Sequence, residues 1–268
     1  MISNYHTPQP TDFCNAIHSI WQIKGFTPFQ KEQILPKGIV EIIFNFSEGT
    51  PIPVETDGRQ SQLGNCFING LNKAPINLVL PEKQVFVGVM LRPLAVKKLI
   101  GAPAGIFSDD TVDLTLIDRS FNTLWHQLAE LDDFDSRVCV LMNWARTKNI
   151  NLAPQENLLN NFLYAPGQHT LSVSQLAGSV YYSTRQLSRK LLEATAMNTE
   201  EILLYKKYLH ALDLVHTSCM TLTEIAYESN FSDQSHFIKT FRLFTSITPG
   251  EYRQRKGDVK GHMYEDVR

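Results

Sequence analysis

The chain has 268 residues, of which 43% are hydrophobic and 19% charged, with a formal net charge of −2. Such a composition excludes a disordered or coiled-coil protein, and the length accommodates two ordinary domains with separate cores. The near-neutral balance excludes affinity for a polyanion through bulk charge, so any grip on nucleic acid has to come from locally placed cations. Cys14, Cys66, Cys139 and Cys219 are scattered. That spacing suits neither a structural zinc site nor a disulfide framework, so free thiols and no metal are expected. The MISNYHTPQP start has neither a charged opening nor an apolar run, and no stretch is long and apolar enough to span a membrane. A cytoplasmic protein without a membrane partner is the expectation.

The chain from about Ser19 to Leu91 is rich in short β-branched and aromatic runs bounded by Gly, Pro and Asn. Strands are predicted at Ile20–Phe26, Val40–Phe46, Phe67–Leu71, Ile76–Leu80 and Val85–Leu91. Pro93–Gly101 reads as a helix, with proline at its start and glycine past its end. Helices over Leu116–Leu131 and Phe134–Lys148 follow, the second carrying Val138, Leu141, Met142 and Ala145 at helical spacing. That apolar stripe is a candidate dimer surface, or else it packs on the β unit. Residues 1–152 are thus expected to form a small antiparallel β-rich domain with helices, and 153–170 a linker.

Beyond the linker the pattern is helical, over 171–256, with a disordered tail expected at 257–268. Ser172…Gln175, Ser183…Gln186, Asn198…Glu201, Thr221…Glu224 and Thr248…Glu251 each place a capping oxygen three residues before Glu or Gln. Such pairs satisfy the orphan amides of a helix start reciprocally. Within this region one motif is written twice. Leu176-Ala177, then Tyr181-Tyr182-Ser183, then anchors Leu187 and Leu191 are echoed by Ile225-Ala226, Asn230-Phe231-Ser232 and anchors Phe237 and Phe241. This spacing predicts two helix–turn–helix units, each able to place its second helix in a DNA major groove. The helix predicted from Glu200 to Thr217 would span about 25 Å, comparable with the roughly 34 Å of one DNA turn.

These residues resemble the AraC/XylS-type transcriptional regulators. The second copy and its sequel carry the strongest likeness: Ile225-Ala226…Phe231-Ser232-Asp233-Gln234-Ser235-His236-Phe237…Phe241…Thr248-Pro249…Tyr252-Arg253. The first copy, Leu176-Ala177…Tyr182-Ser183-Thr184-Arg185-Gln186-Leu187-Ser188-Arg189, is a second match. The resemblance implies an α+β chain: a β-rich sensor or dimerisation half, followed by an all-α DNA-binding half in which a long helix joins two helix–turn–helix motifs. The chain departs from the family's usual choices at Ala196 and Ser246, where glycine is common, and at Thr199 and Lys207. Tyr181 and Asn230 take turn positions often held by glycine; tyrosine tolerates the left-handed backbone poorly.

With the apolar anchors inward, Thr184, Arg185, Ser188 and Arg189 fall on the outer face of the first recognition helix. Gln234, Ser235, His236, Lys239 and Arg242 fall on that of the second. Arg can fork onto guanine or clamp phosphate, Gln suits adenine, and Lys is more simply a phosphate contact. Asp233 is expected to cap its helix. Tyr252, Arg253, Arg255 and Lys256 are either extra phosphate contacts or a frayed basic end. Eight isolated histidines, with no His-Glu-x-x-His, Gly-x-Ser-x-Gly or phosphate loop, give no basis for catalysis. In the β unit Trp21, Phe26, Phe44, Phe46, Phe67 and Phe86 could line a cavity, although such a row is more often plain core. The candidate effector-binding residues are Trp21, Glu41, Phe44 and Arg92, with Asn45 as a further polar group. The expected partners are double-stranded DNA, a small-molecule effector, RNA polymerase in the case of activation, and a second copy of the chain. The alternative is a DNA-binding protein switched by a protein partner, with no small ligand.

Overall fold

Period-two alternation of apolar residues gives each strand of the amino-terminal half two different faces. The computed structural model describes residues 2–9, 16–48, 51–56, 58–164 and 170–267. The strands are β1 (Ile2–His6), β2 (Ile17–Phe26), β3 (Phe29–Ile34), β4 (Val40–Asn45), β5 (Ile52–Thr56), β6 (Arg59–Leu63), β7 (Cys66–Asn69), β8 (Ile76–Val79), β9 (Lys83–Leu91), β10 (Thr111–Asp113) and β11 (His262–Val267). They form a six-stranded sheet, β1-β2-β9-β4-β7-β10, and a five-stranded sheet, β11-β3-β8-β5-β6, antiparallel throughout. On the first sheet Ile20, Ile42, Phe44, Cys66, Ile68, Val87 and Val89 share one face and belong to the main core. That face is covered by α1 (Pro93–Ile100), α2 (Ser120–Ala129) and α3 (Phe134–Thr147). The opposite face turns toward the second sheet, and Ile52, Val54, Leu63, Phe67 and Ile76 pack between them.

The β unit is larger than the sequence suggests, and the helices lie where expected. Proline opens α1, and Gly101 closes it in the left-handed region at φ 90°. The stripe on α3 faces inward: Val138, Leu141, Met142 and Ala145 are buried, and Arg137 Nη1 donates to Gln22 Oε1 of β2 at 2.6 Å. The candidate dimer surface is therefore internal packing.

Two other expectations are corrected. Residues 154–164 of the expected linker form α4 (Pro154–Tyr164), wedged between the halves. Asn160 Oδ1 accepts from Leu94 N of α1, and Glu156 pairs with Lys190 at 2.8 Å and Lys98 at 3.8 Å. Asn160 and Leu163 are buried on this helix, and the Asn160 carbonyl and the Glu156 carboxylate both find partners; this is why it is no free connector. The carboxy-terminal tail is likewise ordered. After α10 (Pro249–Arg255) the chain turns at Gly261 and returns as β11, pairing with β3 from His262↔Ile34 to Val267↔Phe29.

The remaining helices are α5 (Val173–Ser179), α6 (Thr184–Thr195), α7 (Thr199–Thr217), α8 (Leu222–Glu228) and α9 (Gln234–Thr245). All five expected capping boxes form, with both reciprocal hydrogen bonds, at the starts of α5, α6, α7, α8 and α10. Asp233 caps α9 through the His236 amide. No helix among the described residues is long and apolar enough to cross a membrane.

Candidate DNA-binding face and ligand cavity

The two helix–turn–helix units repeat each other down to single hydrogen bonds. In the first turn Tyr182 N donates to Ala177 O at 3.0 Å; in the second Phe231 N donates to Ala226 O at 2.9 Å. Tyr181 and Asn230 occupy the left-handed region at φ 56° and 60°, which is the strain expected for tyrosine there. Leu187 and Leu191 in α6, and Phe237 and Phe241 in α9, are fully buried. Each recognition helix also ends with the same device, which sequence reading overlooked. The buried hydroxyls of Thr195 and Thr245 donate to Leu191 O and Phe241 O, at 2.8 and 2.7 Å. The next residue, Ala196 or Ser246, turns left-handed at φ 55° or 62°.

A Cβ in that region costs about 1–2 kcal/mol, and glycine gives part of this back through the entropy of the unfolded chain. Ala196→Gly and Ser246→Gly are each expected to stabilise the protein by about 0.5–1 kcal/mol. Urea unfolding of the single and double variants measures this; a loss of stability in both would contradict the strain account.

Anchoring through Leu187 and Phe237 leaves the opposite faces in solvent. Thr184, Arg185 and Arg189 on α6 are exposed and Ser188 is half-buried; on α9, Ser235, His236, Lys239 and Arg242 are exposed and Gln234 is half-buried. Arg185, Arg189, Lys239 and Arg242 have no carboxylate within salt-bridge distance among the described residues, whereas neighbouring lysines do. α9 holds no acidic residue, and α6 only Glu193, which Lys97 neutralises at 2.6 Å. The neutral total therefore conceals two locally cationic faces. Gln234 is partly committed, since its Oε1 accepts from Thr223 Oγ1 at 2.8 Å.

The basic end of α10 is not a free DNA contact. Tyr252 is buried with its hydroxyl against His216 Nδ1 at 2.8 Å, and Gly261 N donates to the same oxygen at 2.9 Å. Arg253 Nη2 donates to Met220 O, Arg255 pairs with Glu265, and Lys256 Nζ donates to His216 O. These groups staple the tail to the second motif.

Between the two sheets lies a cavity of about 440 Å3, an ordinary size for a small-molecule site. Trp21, Phe67 and Phe86 line it, together with Ile34, Ile43, Leu78 and Met90. The indole of Trp21 lies across Gly88, its β9 register partner, where an added Cβ would come within 2.0 Å of the ring. Trp21 Nε1 thereby reaches Glu41 Oε2 at 3.2 Å. The candidates Phe44 and Arg92 are corrected. Phe44 is fully buried on the helix-covered face, because 44 and 41 have opposite parity along β4 and Ile43 takes the cavity position. Arg92 precedes α1, and its Nη1 donates to Asn161 Oδ1 at 3.0 Å. Phe26 is largely exposed and Phe46 stacks on Trp125, so neither lines the cavity; Asn45 Oδ1 accepts from Ser47 N.

The polar wall of the cavity comes from residues that sequence reading did not connect. His262 Nδ1 is 2.6 Å from Glu32 Oε1, and its Nε2 is 3.2 Å from Lys37 Nζ. With an ammonium at Nε2 that nitrogen must accept, so Nδ1 carries the proton and the ring is neutral. Burial, and then the Lys37 charge, hold its pKa below the ordinary value. Burial opposes ionisation of Glu32, but the hydrogen bond and charge of His262, with Lys37 behind them, leave its pKa below the ordinary value.

This wall is also where the halves meet. Tyr205 of α7 accepts from Gly38 N at 3.1 Å and donates to Asn72 O at 2.8 Å; Tyr208 donates to Pro36 O at 3.0 Å. Pro36 and Asn72 themselves line the cavity. A second contact joins the 3₁₀ turn Ala104–Phe107 to the end of α6, so tightly that a Cβ on Gly105 would lie 2.7 Å from Glu193 O. A wider groove of about 580 Å3 on the outer side of the second sheet is lined by polar strand residues such as Gln33, Gln60 and Gln62, and shares Glu32 and Leu78 with the cavity.

Residues 176–255 match the family described as "Helix-turn-helix domain", and residues 6–113 match a "Domain of unknown function (DUF6597)". An uncharacterized HTH-type transcriptional regulator of Staphylococcus aureus strain MSSA476 is 38% identical over 84 residues, 31% of this chain and 11% of that protein. The chain thus spans about a tenth of the length of that relative. The HTH-type transcriptional activator RhaS of Escherichia coli O1:K1 / APEC is 30% identical over 104 residues, 39% of this chain and 37% of its own. Among solved structures, ToxT from Vibrio cholerae O395 aligns over 89% of this chain and 99% of its own, with a TM-score of 0.48 and 12% identity. The duplicated motif and these relatives support an AraC/XylS-type regulator, with the likeness carried by the helix–turn–helix domain of residues 176–255.

Proposed function

We propose that this regulator reads a specific DNA sequence by placing α6 and α9 in adjacent major-groove segments, and that a small molecule in the inter-sheet cavity modulates its activity. Thr184, Arg185, Ser188 and Arg189 are the contacts from α6; Gln234, Ser235, His236, Lys239 and Arg242 are those from α9. The observation that carries the reading is the pair of matched helices, each buried through two anchors and each presenting unpaired cations to solvent. Support for the effector comes from the cavity and from its wall, where Tyr205 and Tyr208 hold Pro36, Gly38 and Asn72 by their backbones. A ligand that shifts this wall bears directly on α7, the rod between the two motifs. A regulator switched by a protein partner alone is the rival; a filled inter-sheet space would favour it, and the cavity weighs against it. RNA polymerase, for an activator, and a second copy of the chain are partners compatible with this reading. The domain limits that go with it are 1–152 for the sensor and 171–256 for the DNA-binding domain, with α4 and β11 as ordered connections.

Genome-wide selection of bound fragments tests the DNA half, repeated with Arg189→Ala and Lys239→Ala. Arg189→Ala is expected to cost about 1–3 kcal/mol and relax preference at one or two positions. Lys239→Ala should weaken all sequences about equally and lower the salt slope by roughly one. Unaltered affinity and preference in both variants would remove these faces from the DNA.

A further inference from the structure

The cavity is mostly apolar, but its few charged groups do not balance. Glu32 and Glu41 are both more than nine-tenths buried, Lys37 is the one cation facing them among the described lining residues, and His262 is neutral by its hydrogen-bond pattern. The polar wall therefore carries two negative charges against one positive. Nor is Lys37 close to both: it sits 3.9 Å from Glu41 Oε1, beyond hydrogen-bond reach, with its ammonium turned toward His262 at 3.2 Å. Glu41 Oε2 accepts from Trp21 Nε1, and Oε1 has no hydrogen-bond partner among the described residues. A buried carboxylate in this condition favours a further donor or cation strongly, since low polarity amplifies both its cost and its attraction.

We infer that the cavity takes a lipophilic amine: an apolar, aromatic-tolerant body among Ile43, Phe67, Phe86 and Met90, with a protonated nitrogen on Glu41 Oε1. The flat Trp21 ring beside that oxygen adds a face on which a cation is held. An anionic head group would instead meet two carboxylates and have only Lys37 to offset them. The second sheet supplies the other side of the ligand through Ile34, Leu78 and Tyr264. Binding should also pull on Lys37, whose neighbours Pro36 and Gly38 are held by Tyr208 and Tyr205, so the head group sits one residue from the contact with α7. This inference rests on the effector reading above and narrows it to one charge class.

The test uses the full chain and three matched head groups, primary amine, alcohol and carboxylate, on 4-phenylbutyl and 4-(biphenyl-4-yl)butyl bodies. Affinities are measured by calorimetry, with the melting temperature of each unliganded variant reporting that it is folded. The amine is expected to bind tightest. Glu41→Gln, which keeps an acceptor for Trp21, should lower amine affinity roughly tenfold to a hundredfold and leave the alcohol within about twofold. Lys37→Met should act in the opposite direction, raising amine affinity several-fold by removing the competing cation, and it decides the matter if Glu41→Gln does not fold. Tighter binding of the carboxylate, or amine affinity indifferent to both substitutions, would overturn the amine assignment while leaving an effector site in place. Binding of none of the six probes would overturn the amine assignment and the effector reading together.

Discussion

Phe241→Ala is expected to lower stability by about 3–5 kcal/mol and to abolish DNA binding at temperatures where the native protein binds. Phe241 is fully buried on α9 and lies at the hub of an aromatic cluster. Its ring centroid is 5.6 Å from Tyr208, 5.9 Å from Phe237 and 6.0 Å from Tyr252, the first two in edge-to-face geometry. Deleting the ring removes its transfer free energy and leaves a cavity that rigid helices on three sides cannot close. The loss reaches beyond α9, because Tyr208 donates to Pro36 O in the other half and Tyr252 receives the Gly261 amide at the entry to β11. Leu191 occupies the equivalent place in α6 and is fully buried, but it has no ring to lose, so Leu191→Ala should cost less, about 2–4 kcal/mol. Urea unfolding of the two variants gives the comparison. Equal losses would mean that the second motif's aromatic hub adds nothing to ordinary burial.

How much of this was legible in the sequence depended on whether the signal was local. A capping box involves residues three apart, so all five could be read directly, and the anchors of both recognition helices followed from a one-turn spacing. Strands β2, β4, β7, β8 and β9 were visible as apolar runs. Strand β3 (FQKEQI) and β6 (RQSQL) were not, since polar side chains dominate strands near a solvated sheet face. Phe44 was a misreading that the period-two rule already forbids: residues 41 and 44 cannot face one cavity from a regular strand. The polar wall was beyond reach for another reason. His262 meets Glu32 across 230 positions, and Tyr205 meets Asn72 across 133. No window of sequence contains such pairs, and a tail reading HMYEDVR has the charge of a solvated end.

That tail should be one of the structure's more sensitive points. Met263 is 1% exposed and sits on β11 opposite Gln33, so Met263→Ala is expected to cost about 2–5 kcal/mol, a large share of a typical domain's stability. The same strand makes the molecule sensitive to acid. His262 titrates below its ordinary 6.5 in the folded chain, so the unfolded chain binds protons first as pH falls, and stability declines from about pH 6.5 downward until the folded ring also protonates. Glu32 titrates below its ordinary 4.5, so its contribution is present above that value and is lost as pH drops through the folded pKa. Both groups therefore weaken the contact between β11 and β3 in the same direction. A protonated His262 would also aim an N–H at the Lys37 ammonium, now 3.2 Å away, which breaks the chain of contacts from Glu32 to Lys37. His262→Gln can still donate to Glu32 without taking up a proton. It should flatten the stability profile between pH 6.5 and pH 5, measured by urea midpoints, while Met263→Ala should lower the whole profile and keep its slope. A slope unchanged by His262→Gln would place the acid sensitivity elsewhere in the chain.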